Sequence, residues 1–190
     1  MKPELEDRLV QEYPEIFRDW RGDPKLTCMA WGIDCPAAWE PAIRAACVCI
    51  AHEVRSVNER HPTLGFRVIA DQIKEKFGTL RFYWHSECAL WQHGDTPRDA
   101  AHEAAVDAAH GRIDGAIACA ERITALVCAD CGTPNSARPR RAMWGNLCER
   151  CDAERTARNE QRTAEWNRRR AEREEADANN EIFRRNPNGA

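Results

Sequence analysis

Apolar residues at Leu5, Leu9, Val10, Tyr13, Ile16 and Phe17 recur at helical spacing, and Pro14 divides the run into two short predicted helices within residues 4–20. A second stripe, Trp39, Ile43, Cys47, Ile50, Val54 and Val57, predicts a helix over about 36–58, with Asp34 and Pro36 marking its start. The pattern then changes to strand. FRVIADQIK and GTLRFYWH flank Glu75, Lys76 and Phe77, with Gly78 suited to the positive φ of a tight hairpin turn. Strand alternation puts Leu80, Phe82 and Trp84 on one face and Arg81 and Tyr83 on the other. A lone hairpin is barely stable in water, so that aromatic face is expected to pack on helices. Thr96, Pro97 and Asp99 signal the start of a long helix ending near Val127. Its stripe is Val106, Ala109, Ile113, Ala116, Ile117, Ala120, Ile123 and Val127, and Gly111 and Gly115 are expected to admit a second backbone closely.

Composition narrows the class. The chain has 190 residues, a formal net charge of −3 and ten cysteines. No run approaches the roughly 20 apolar residues of a membrane span, and the start, MKPELEDRLVQ, is acidic and amphipathic where a signal peptide would be basic and then apolar. A soluble, cytoplasmic protein with reduced thiols is expected, and metal binding is then the first reading of so many cysteines. Charge is uneven: residues 1–131 carry 15 basic and 21 acidic side chains, residues 132–190 carry 13 and 10. Within residues 138–173, 11 arginines face 6 acids, a local excess suited to an anionic partner.

The chemical signal is Cys128-Ala-Asp-Cys131-Gly132, followed after sixteen residues by Cys148-Glu-Arg-Cys151. Two CxxC pairs at this spacing are typical of a four-thiolate zinc site, in which each tight turn offers two sulfurs to one tetrahedral ion. The intervening GTPNSARPRRAMWGNL is too poor in apolar residues to fold alone, so metal must supply much of the local folding free energy. The layout resembles a treble-clef zinc finger, a CxxCG knuckle followed by a hairpin and a helix beginning at the second pair. Four thiolates around a zinc ion carry net −2, which Arg138, Arg140, Arg141 and Arg150 would offset. A closed site of this kind is structural and has no position for an activated water; iron in a rubredoxin-like site and a dithiol redox pair are the alternatives.

Two nuclease motifs fail on their residues. The finger also resembles the metal loop of HNH nucleases, whose chemistry requires a histidine general base in the loop and another on the helix, yet no histidine follows His110. ADQIKEKFG resembles the Asp…Glu-x-Lys of restriction-type nucleases, but Asp71, Lys74, Glu75 and Lys76 are out of register. A second metal site built from Cys49, His52, His85 and Cys88 stays open on their spacing, Cys47 and Cys119 read as small buried hydrophobes, and His102 and His110 read as exposed.

From Cys148 to about Asn179 the chain is polar and rich in helix formers, with compensating pairs Glu154–Arg158 and Glu165–Arg169. Ala157, Ala164, Ala171 and Ala178 form a heptad stripe that would support self-association into a homo-oligomer. Arg168, Arg169 and Arg170, with Arg138, Arg140 and Arg141, are candidate phosphate contacts for DNA or RNA, and Trp144 or Trp166 is a candidate for stacking on a base.

The string Gln72 to Trp84, QIKEKFGTLRFYW, with Tyr13-Pro14-x-Ile16-Phe17, Cys35…Trp39 and the terminal CxxCG…LCxxC, resembles a group of small uncharacterised proteins of phages, prophages and bacteria. The resemblance covers about residues 5–152 and implies a phage or bacterial origin and a metal finger, with no catalytic residues to carry over. In that family the segment here reading Cys35-Pro-Ala-Ala-Trp39 is usually Gly-Asp-Gly-Trp.

The expected protein is α+β: a hairpin packed on helices (1–127), a four-cysteine zinc finger (128–152), a charged helical extension (153–179) and a flexible tail (180–190). A non-enzymatic nucleic-acid-binding module is the leading expectation, and an adaptor or inhibitor acting on a bacterial host protein is the alternative.

Overall fold

The computed structural model describes residues 1–91, 99–134 and 146–185, with side chains in the last stretch as far as 177. The chain divides into two units, Met1–Cys148 and Glu149–Ala190. The first unit is α+β. Helix α1 (Pro3–Glu12) has proline in its first turn and ends at Tyr13, whose N–H donates to the Leu9 carbonyl at 2.9 Å. No second helix follows Pro14. Residues 14–21 form successive turns, because proline removes a donor and the few residues left before Arg21, itself at φ +54°, are too short a run to nucleate a helix. The apolar signal there was real, since Ile16 and Phe17 are buried.

A short 3₁₀ turn, Ala37–Trp39, leads into α2 (Glu40–Arg60), which buries Ile43, Ala46, Cys47, Ile50 and Val57 along the predicted stripe. Each of Ile43, Ile50 and Val57, fully buried, stabilises the fold by about 1.5–3 kcal/mol. Asn58 near the end of α2 fastens the next element, its Oδ1 accepting from Phe66 N–H (2.8 Å) and its Nδ2 donating to Phe66 C=O (2.9 Å).

Strands β1 (Phe66–Lys76) and β2 (Thr79–Cys88) form an antiparallel hairpin whose two-residue turn is Phe77-Gly78, both at positive φ (54° and 79°). A tight hairpin turn needs this conformation at both positions, and it is costly for phenylalanine, which lies 64% exposed at the tip. The pairing slips by one residue between Ala70 and Gln72, leaving Asp71 as a bulge. Leu80 and Phe82 are buried, Trp84 and Arg81 are half-buried, and Tyr83 is exposed, as alternation requires.

What stabilises a two-stranded sheet is that both of its edges are occupied. On the β1 side, Ala70 N–H donates to Ile16 C=O (2.8 Å), while Asp34 receives from Glu75 N–H (2.8 Å) and donates to Ile73 C=O (3.0 Å). On the β2 side, Leu80 N–H donates to Thr124 Oγ1 (3.0 Å) and Phe82 N–H to Glu121 Oε1 (3.3 Å). Helix α3 (Ala100–Leu126) supplies those acceptors and packs on α2 and β2. Asp99 caps it by accepting from Ala101 N–H (2.9 Å); Thr96 and Pro97 of the expected start lie outside the described residues.

Helix α3 corrects two expectations. Ile123 is 42% exposed and Thr124 takes the buried place, because the sheet edge needs a hydroxyl there. Gly111 and Gly115 face open space, with no atom within 4 Å of a Cβ built on either, so they admit no close backbone.

The second unit consists of helix α4, Glu149–Arg185. It continues beyond the expected end at 179, taking up residues expected in a flexible tail. No helix among the described residues is long and apolar enough to cross a membrane.

Candidate metal centre and arginine face

Where α3 ends, Val127 bridges to Pro134 in antiparallel fashion and encloses the first CxxC in a tight knuckle. Cys128 N–H donates to Thr133 C=O (2.8 Å) and Gly132 N–H to Cys128 C=O (2.9 Å), the latter geometry requiring the φ of +73° at Gly132. The second pair is brought to the first through Asn146. Its carbonyl accepts from Ala129 N–H (2.7 Å), and its Nδ2 donates to the carbonyl of Ala125 in the last turn of α3 (2.5 Å). Cys148 follows directly, and Cys151 lies in the first turn of α4.

The Sγ atoms of Cys128, Cys131, Cys148 and Cys151 all lie within 4.8 Å of one another. Cys131 and Cys148 are 3.7 Å apart, sulfur to sulfur. A disulfide would bring them to about 2.05 Å. The edge of a tetrahedron with metal–sulfur bonds of about 2.3 Å is roughly 3.8 Å, so the donor set and its spacing fit a four-thiolate metal site. All ten cysteines are unbridged. The four sequence-predicted ligands are therefore brought together, and among the described residues they are the one such group of three or more His, Cys, Asp or Glu side chains.

The second metal set does not assemble. Cys49 and His52 lie on the exposed side of α2, Cys88 is buried, and His85 is engaged by Asp71, Nδ1 to Oδ1 at 2.7 Å. Cys47 is buried as expected, whereas Cys119 is exposed. His102 and His110, expected to be exposed, are engaged by neighbours. His110 Nε2 lies 2.8 Å from Ser86 Oγ with its ring edge-on to Trp84, and His102 packs edge-on to His61.

Arg138, Arg140, Arg141 and Trp144 lie outside the described residues. Arg168, Arg169 and Arg170 lie on α4, where about 100° of rotation per residue fans them over roughly 200° of the helix surface. Arg169 pairs with Glu165, and Arg170 pairs with Glu174 (2.8 Å) and lies 5.5 Å over the Trp166 ring. Of the other expected pair, Glu154 meets Arg150 at 4.0 Å.

The helix aligns a different set. Starting from Cys151, steps of 4, 3, 4, 4, 3 and 4 residues reach Arg155, Arg158, Arg162, Trp166, Arg169 and Arg173. At helical pitch these fall within an arc of about 80° over roughly 27 Å from Arg155 to Arg173. No acid enters the arc. Glu154, Glu165 and Glu172 flank it on one side and Asp152 and Asp177 on the other. Helix α4 is neutral in sum, ten arginines against ten carboxylates, yet sharply segregated. Arg158, Arg162, Arg169 and Arg173 are exposed, and Trp166 is 59% exposed among them.

No protein-family model, curated protein or solved structure matches this chain.

Proposed function

We propose that this protein is a non-enzymatic nucleic-acid-binding accessory module of phage or bacterial origin, braced by a structural zinc ion of treble-clef type at Cys128, Cys131, Cys148 and Cys151. Thiolate-only ligation in a closed set favours zinc in a structural role over a site that activates water. The observation that carries the binding reading is the acid-free arginine row on α4. Five arginines and one tryptophan on one face of an otherwise balanced helix are what a phosphate backbone with stackable bases recognises. Exposed ion pairs such as Arg169–Glu165 are worth about 1 kcal/mol or less, so a phosphate displaces them readily.

The test is fluorescence anisotropy of the zinc-loaded chain with labelled DNA and RNA at roughly 50 and 200 mM salt. Binding that falls steeply with salt is expected, and no binding at the lower salt overturns the reading. A host-protein adaptor is the second reading, favoured by the hairpin tip, where Phe77 stands exposed with Lys76 5.5 Å from its ring and Lys74 5.5 Å from that of Tyr83. Capture of a defined host protein that is lost on Phe77→Ala would support it.

A further inference from the structure

The arginine row is one side chain wide, and its flanks are acidic. We infer that its ligand is a single strand, seated lengthwise along α4 with a base stacked on Trp166; this rests on the nucleic-acid reading above. A helix about 10–12 Å across, lying in a major groove about 12 Å wide, presents both of its sides to phosphate rows. On α4 those sides carry Glu154, Glu165 and Glu172 to the left of the row and Asp152 and Asp177 to the right, so both groove walls would meet carboxylates. A single strand offers one phosphate row, which the basic arc accommodates while the flanking acids face water.

Trp166 lies within the row, between Arg162 and Arg169, so a base turned toward the helix meets an aromatic face while phosphates on either side meet guanidinium groups. Arg170, 5.5 Å over the same ring, holds the indole from one side without covering it, since the side chain remains 59% exposed. Strong sequence preference is not expected, because stacking on Trp166 accepts any base and the arginines on either side of it meet phosphates common to every sequence.

Four exposed arginines, Arg158, Arg162, Arg169 and Arg173, set the salt response. With about 0.7 counterions released per single-strand phosphate, affinity is expected to fall about 50-fold between 50 and 200 mM salt. The experiment uses the full zinc-loaded chain and a labelled mixed-sequence 20-mer, single-stranded and as its duplex. Single-strand binding at least about tenfold tighter than duplex binding is expected. Trp166→Ala is expected to weaken it about tenfold. Arg162→Gln/Arg169→Gln is expected to flatten the salt slope, whereas the charge-matched Arg67→Gln/Arg122→Gln, at exposed positions outside α4, leaves it unchanged. Duplex binding as tight as single-strand binding overturns this inference and leaves the nucleic-acid reading standing. Single-strand binding that ignores Trp166→Ala and the on-row pair overturns the placement on α4. No binding of either form at 50 mM overturns both.

Discussion

Removing the metal is expected to unfold the knuckle while sparing the hairpin and its helices. Ordering the eight residues 127–134 costs about 8–16 kcal/mol of backbone entropy at 1–2 kcal/mol each. Without metal, the hydrogen bonds that oppose this include those from the amides of Cys128, Ala129 and Gly132 and from Cys131 Sγ to Thr133 Oγ1 (3.2 Å), worth about 1 kcal/mol apiece. They leave a shortfall of about 4 kcal/mol or more. Structural zinc contributes about 10–16 kcal/mol in comparable short peptides, enough to reverse the sign. The α+β core draws its stability from elsewhere: its largest fully buried side chains run from Leu9 to Ile113, none within the knuckle. Hydrogen exchange read residue by residue, with and without a strong chelator, is the assay. Amides of Cys128, Ala129 and Gly132 should lose protection on chelation, while those of Ala70, Leu80 and Phe82 in the sheet keep theirs. Full protection of the knuckle after stoichiometric metal release would refute the argument that the ion supplies its folding free energy.

Two further outcomes are expected. With the metal bound at pH 8, iodoacetamide should modify the exposed Cys28, Cys49 and Cys119 first. Burial pushes the Cys35 and Cys47 thiols up, Cys47 to about 12, so at pH 8 both stay protonated and unreactive; peptide mass spectrometry showing Cys47 labelled as fast as Cys49 would contradict this. Thr124→Val keeps the shape of a fully buried side chain but leaves Leu80 N–H without its acceptor, at a cost of about 2 kcal/mol. Thermal unfolding should shift down by about 4–8 °C, and an unchanged midpoint would show that the edge bond contributes nothing.

The fold accounts for the hairpin string Gln72–Trp84. Gly78 takes the second positive φ of the turn, Leu80 and Phe82 supply its buried face, and Lys74, Lys76, Phe77 and Tyr83 are what it displays. The display surface is compact and distinct in chemistry from the arginine row, which is why the nucleic-acid and host-protein readings call for different variants.

Periodicity alone located α2, the hairpin and α3, because each buries one face and burial writes its spacing into the chain. The two CxxC pairs were legible for a similar reason: a set of four thiols able to hold one ion draws on residues close in sequence at each pair, so the spacing carries the geometry. The arginine row is also present in the sequence as steps of four and three, but it becomes a surface only once α4 is one uninterrupted helix. What periodicity could not reach was set by contacts between distant segments. Thr124 in place of Ile123 at the core, Asp34 and Ile16 on the outer edge of β1, and Asn146 joining the knuckle to Ala125 each answer a backbone donor or acceptor from elsewhere in the chain. Local pattern records which face of an element is apolar; it does not record which unpaired polar group the fold will bring to that face, and burying such a group requires a partner.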